Sequence, residues 1–157
     1  ADNMLHVADL AIEQIDLYLD YMGGLAEEAA TEDSRARDPL DEIFQAVKSN
    51  IINSLAETTE AQGEKILAGG DGPHGEFVIK LFEGGAAIEA HSIAIPSMRV
   101  EDLSPAMFHA DIRTSYSAVA ALAHVDSASA DATKTRDMIA EQRSLIRQLI
   151  ALEINQV

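Results

Sequence analysis

Five histidines, His6, His74, His91, His109 and His124, are the side chains of this chain best suited to hold a metal or move a proton. A helical metal site needs ligands three or four residues apart on one face, and no histidine stands at that distance from another histidine or a glutamate. Glu89 and His91 share one face of a β-like run, but two ligands do not complete a site. Ser127 and Ser129 lie in a helical stretch with no acid/base partner to activate a hydroxyl, so they read as small packing or surface residues. The run Gly69-Gly70-Asp71-Gly72-Pro73-His74-Gly75 is flexible enough to wrap a phosphate. It lacks the Gly-Lys-Ser/Thr ending of a phosphate loop and lies beside acidic residues, so a turn is sufficient explanation. No catalytic, metal-binding or cofactor-binding residue is assigned, and the sequence points away from an enzyme.

Charge and composition narrow the partners further. Eleven Lys plus Arg against 27 Asp plus Glu give 157 residues a net charge of −16, the wrong sign for DNA, RNA or an anionic membrane surface. Aromatic residues make up only 4 % and Trp is absent, so stacking platforms for single strands or sugars are missing. The absence of cysteine excludes disulfides and thiolate metal sites. No apolar run approaches the ~20 residues that span a bilayer, and no basic-then-apolar signal opens the sequence.

The elements that such a chain can build are long helices. Leu5, Ala8, Ile12, Ile15, Leu19, Met22, Ala26 and Ala29 alternate spacings of three and four, a heptad seam that predicts a helix from about Asn3 to Ala30 buried against other long helices. Asp16 and Asp20 fall on its outer face. Gly23-Gly24 interrupts good helix formers, and a kink is expected there. A second helix is predicted to start with Asp38 as cap and Pro39 in the first position, with Asp41 and Glu42 favoured by the helix dipole. Its stripe is Leu40, Phe44, Val47, Ile51 and Leu55, widened by Ile43 and Ile52, and the glycine-rich run after Leu67 ends the helical region. The bundle seam is thus Leu5, Ile12, Ile15, Leu19, Met22, Phe44, Val47, Ile51 and Leu55.

Two runs with strand alternation follow, 76–82 and 87–95, joined by Glu83-Gly84-Gly85 as a hairpin. Pro96 to Pro105 reads as an irregular or extended return segment. From Asp111 to Asn155 there is neither Gly nor Pro, so one long helix is predicted, thinnest over 126–137, where no large aliphatic residue occurs. The fold class is mainly α: an elongated antiparallel helical bundle of two N-terminal helices and one long C-terminal helix, with a small β-hairpin region. It is expected to form a single domain, 1–67, 68–110 and 111–157 being its helical, turn-and-hairpin, and returning parts.

Met4-Leu5-His6-Val7-Ala8-Asp9-Leu10-Ala11-Ile12-Glu13-Gln14-Ile15 resembles a stretch of the bacterial flagellins, met-leu-gln-x-ala-x-x-ala-leu-x-glu-ile. Leu19, Leu25 and Ala29 fall on that family's leu-gln-arg-x-arg-glu-leu-x-x-gln-ala motif. Thr58-Thr59-Glu60-Ala61-Gln62-Gly63-Glu64-Lys65-Ile66-Leu67 is similar to its thr-thr-glu-phe-asn-gly-x-lys-leu-leu. Arg136, Ile139, Ala140 and Ile146 match the closing helix more loosely.

The resemblance implies the core rod of a flagellar filament protein, a structural subunit for motility whose partners are other copies of itself. It implies an extracellular location after export without a cleaved signal peptide, and no cofactor. It also implies that this chain lacks the terminal assembly helices and, alone, is monomeric. The family's receptor- or subunit-facing patch maps to Tyr21 and Leu25, with Tyr21 and Gly23 standing where the motif has arginines. Ala61, Ala68 and Gly69 resemble instead the hook-filament junction protein of the same apparatus, which is the alternative. A helical sensor or adaptor module is a third reading, and it requires a pocket with convergent polar groups.

Overall fold

The computed structural model describes residues 2–31, 34–82 and 91–155. Helix α1 (Asp2–Thr31) carries the heptad seam, and all eight of its positions from Leu5 to Ala29 are fully buried. The opposite wall is the long last helix (Ser115–Asn155), 41 residues and so about 60 Å at 1.5 Å per residue. Its buried positions, Ala118, Ala121, Val125, Ala128, Ala132, Thr135, Ile139 and Ile146, follow the same spacing of three and four, with one position skipped before Ile146. The helix begins four residues later than Asp111. Thr114 caps it, because the Ser117 amide donates to Thr114 Oγ1 at 2.9 Å and the Thr114 amide donates back to Ser117 Oγ at 3.0 Å.

The two long helices run antiparallel in a register that can be read from five steps. Arg143 Nε donates to Asp2 at 3.0 Å, Arg136 Nε donates to Asp9 at 3.0 Å, and Ser129 Oγ donates to Asp16 at 2.5 Å. A Cβ built on Gly23 would lie 3.7 Å from Leu122, and Ser115 Oγ donates to the Ala30 carbonyl at 3.4 Å. Each step moves seven residues up one helix and seven down the other, the periodicity of an antiparallel coiled coil. In that register Ile12, Ile15 and Leu19 of α1 face the alanine-rich middle of the partner helix, large residues filling the room that small ones leave. Asp16 therefore belongs to the seam's polar edge and not to the outer face. The glycine pair does not break α1. Gly23 is buried against Leu122 and Val125, where an added methyl would make ordinary contact.

The second rod starts earlier than Asp38. It comprises α2 (Ser34–Ala46), a π-helical turn (Val47–Ile52) and α3 (Asn53–Thr58). Pro39 lies inside α2, where it forfeits one helix hydrogen bond, and Arg37 Nε ties the rod to the end of α1 by donating to the Ala29 carbonyl at 2.7 Å. The π turn shifts the buried stripe by one residue. Before it the stripe is Asp41, Phe44 and Val47; beyond it, Lys48, Ile52 and Ala56. A π turn closes with one residue more than an α turn, so every later side chain rotates by about 100°. Ile51 and Leu55, expected in the seam, are only half-buried at its edge for this reason.

The rod ends at Thr58. Strands β1 (Glu60–Ala61) and β2 (Glu64–Lys65) form a tight hairpin that the sequence reading missed. Gln62 at φ 55° and Gly63 at φ 80° are the two positive-φ residues of a type I′ turn, which glycine adopts without strain. The larger hairpin pairs β3 (Phe77–Phe82) with β4 (His91–Ile95), with Ile79 opposite Ile93 and both buried. The expected turn at Glu83-Gly84-Gly85 lies outside the described residues. The return segment is helical where an extended chain was expected. It folds as α4 (Val100–Leu103) and α5 (Pro105–Phe108), because Ser104 Oγ accepts the Met107 amide at 3.1 Å and Pro105 takes the first helical position. The long helix is accordingly α6. One contiguous apolar core runs through all these elements.

The phase slip has a measurable consequence. Ile52→Ala removes a fully buried side chain and should cost about 2 to 5 kcal/mol in denaturant unfolding. Ile51→Ala should cost less than half as much, whereas a continuous α-helix with Ile51 in the seam gives the reverse order.

Candidate functional site

On its inner side the second rod uses polar groups to hold the return segment. Lys48 is buried, and its ammonium donates to three carbonyls, Met107 at 3.1 Å, Phe108 at 2.9 Å and Ala110 at 2.8 Å. These carbonyls lie at and beyond the end of α5, where a cation is electrostatically favoured. The ammonium also lies 5.3 Å from the centre of the Phe44 ring. Two turns back, Asp41 accepts the Ile112 amide at 3.1 Å, Arg113 Nε at 3.1 Å and Gln45 Nε2 at 3.1 Å, while Gln45 also donates to the Ala110 carbonyl at 3.0 Å. Burial pushes the Lys48 pKa below the usual lysine range, opposed by the charges of Asp41 and Asp111. Further along the rod, Asn53 Oδ1 accepts the Val100 amide at 2.7 Å, which fixes the start of α4. Asp41 was read as a first-turn residue favoured by the dipole. It is a buried anchor for residues seventy positions away, and nothing in the local sequence marks it as such.

The coiled-coil edge is charged. Asp2 is held below the ordinary carboxylate range by the hydrogen bond from Arg143, and Arg136 is raised by its hydrogen bond to Asp9. Asp20 goes the other way: partial burial and the neighbouring Asp16 and Asp126 raise its pKa above 3.8.

On the outer side, α1 and the second rod flank an open apolar groove of about 740 Å³. From α1 it is lined by Gln14, Leu17, Tyr18 and Tyr21. The facing wall is Glu42, Ile43, Ala46, Val47 and Ile51. Leu17 is 63 % exposed, Tyr21 51 % and Ile43 42 %, an unusual concentration of large apolar side chains facing solvent. Among the described residues the lining is mostly apolar, with Gln14, Glu42 and the tyrosine hydroxyls as its polar groups, so the groove is suited to a macromolecular contact more than to a small polar ligand.

The residues singled out from sequence separate cleanly. Leu5, Ile12, Ile15, Leu19, Met22, Phe44 and Val47 lie in the core, and Ile51 and Leu55 at its margin. Tyr21 is exposed in the groove, but Leu25 is not a surface residue: it is 7 % exposed. The α1 stripe is wide enough to bury it beside Met22 and Ala26.

Neither a family model nor a curated protein sequence matches the chain. Among solved structures it is similar to Bacillus cereus flagellin, with a TM-score of 0.73 and 20 % identity over 93 % of this chain and 81 % of that one. The fold is flagellin-like: a mainly α bundle with a long C-terminal helix and small antiparallel hairpins.

Two outcomes test the polar arrangement. Lys48→Met leaves the carbonyls at the end of α5 without their charged donor and should lower unfolding free energy by about 1.5 to 3 kcal/mol. The same change at exposed Lys134 should stay within about 0.5 kcal/mol. Asp20 binds its proton more tightly folded than unfolded, so it opposes folding above its raised pKa, and that penalty is relieved as pH falls toward 3.8. Asp20→Asn should therefore raise the melting temperature at pH 7, and the advantage should vanish below pH 3.8.

Proposed function

We propose that this chain is a structural subunit of flagellin type, one domain that forms the core rod of an extracellular bacterial filament and acts through contacts with copies of itself and not through catalysis. The observation that carries the reading is the backbone likeness to a flagellin across 93 % of the chain. A motif is consistent with it: the residues that resemble the flagellin thr-thr-glu-phe-asn-gly run form the end of α3 and the type I′ turn, so the resemblance falls on a turn that needs positive φ at Gln62 and Gly63. In mechanical terms the α1–α6 coiled coil supplies an incompressible strut, and its charged edges leave the contacts between rods polar and dependent on salt. By itself, at a charge of −16, the chain should be monomeric at low salt.

Antibodies raised against the 157 residues should decorate filaments sheared from cells that carry the gene, along their whole length in electron micrographs. Decoration confined to the filament base would favour the junction protein, for which Ala61, Ala68 and Gly69 speak. Bare filaments would reject both readings.

A further inference from the structure

The groove between α1 and the second rod is the largest feature that neither the core nor the polar anchor uses. We propose that it docks a cationic amphipathic helix of another protein, two to three turns long. The length follows from the walls. Gln14 to Tyr21 spans seven residues of α1 and Glu42 to Ile51 nine of the facing rod, so the trough is about 10 to 14 Å long at 1.5 Å per residue. Two helices side by side offer a furrow whose natural occupant is a third helix with apolar anchors at i, i+3, i+4 and i+7. Leu17, Tyr21 and Ile43 are the exposed anchors on this side, and tyrosine and large aliphatic residues at the centre of a patch are the kind that carry binding energy.

Charge selects among occupants. Glu42 is the one charged residue among the described residues that line the groove, and the exposed side chains flanking it on the two helices include Glu13, Asp20 and Asp38, all acidic. A second copy placed by a twofold axis would bring this acidic rim against itself, in a chain already at −16. An anionic bilayer meets the same repulsion. Lysine or arginine flanking an apolar stripe meets the rim with opposite charge, which steers encounter and fixes orientation. The inference is independent of filament formation, since it concerns a face open on the single chain.

The test uses the 157-residue protein and a fluorescein-labelled helix of about 14 residues, with leucines at the four stripe positions and lysines elsewhere. Two controls accompany it: the same lysines with the leucines scrambled, and the same stripe with every lysine replaced by glutamate. At about 0.15 M salt the striped cationic helix should bind at least about tenfold tighter than either control. Its amide-shift footprint should centre on Leu17, Tyr21 and Ile43. The double variant Leu17→Ser/Tyr21→Ser, at positions already more than half exposed, should fold as before and lose at least about tenfold in affinity. Equal binding of the scrambled peptide would reduce the effect to net charge and overturn the proposal. So would equal binding of the glutamate peptide, an unaffected double variant, a groove-mediated dimer in sedimentation velocity, or stronger binding to phosphatidylglycerol vesicles than to the peptide.

Discussion

The register between α1 and α6 is the constraint on which the rest of the structure depends. Two heptad seams can slide past each other by seven residues and still match apolar against apolar, so packing alone does not choose one alignment. The polar steps choose it. Asp2 with Arg143, Asp9 with Arg136 and Asp16 with Ser129 recur at one heptad on both helices, and a slip of seven would keep two ion pairs, Arg143 with Asp9 and Arg136 with Asp16, but set Asp2 against Ile150 and Ser129 against Gly23, losing the third polar pair. Arg136 also reaches Glu13 at 3.8 Å, which only the observed alignment allows it to share with Asp9. These groups are partly exposed, and each pair adds little to stability. Their contribution is to specificity.

Once that strut is aligned, the second rod is placed by a different kind of force. Its apolar side chains reach the core on both halves only because the π turn between them shifts the stripe by one residue. That shift buries Val47 and Lys48 as neighbours, the first toward α1 and the second toward the return segment. A buried lysine is costly unless all three protons find acceptors, and the C-terminal end of α5 and the residues after it supply three carbonyls within reach. Helix irregularity and buried charge are therefore one arrangement: the first makes the second necessary, and the second holds residues 107–113 in place. The same rotation leaves Ile51 at the outer margin, where with Ile43, Leu17 and Tyr21 it forms the groove.

The role proposed above, a filament subunit, suits this economy of parts. A filament subunit needs a stiff internal seam and outer faces able to make repeated contacts, and it needs no convergent catalytic groups. The chain has the first in α1 and α6, and its exposed faces combine a strongly acidic surface with one apolar trough.

Much of this was legible in the residues themselves. The spacing of Leu5 through Ala29 determined α1 and its buried face, because a three-and-four repeat of apolar residues has one low-energy outcome in a long helix. The absence of Gly and Pro after residue 111 determined that α6 would be one piece. Alternation over 76–82 and 87–95 pointed to the larger hairpin, whose strands are Phe77–Phe82 and His91–Ile95. Other features followed only from the tertiary structure. The heptad of α1 is indifferent to sliding by seven, so which residues of α6 it meets depended on pairs more than a hundred positions apart. The burial of Leu25, the phase slip that moved Ile51 and Leu55 to the margin, and the roles of Asp41 and Lys48 as buried anchors all depended on what packs against each helix. A local pattern records a residue's own face, but not the carbonyls or alanines that arrive opposite it.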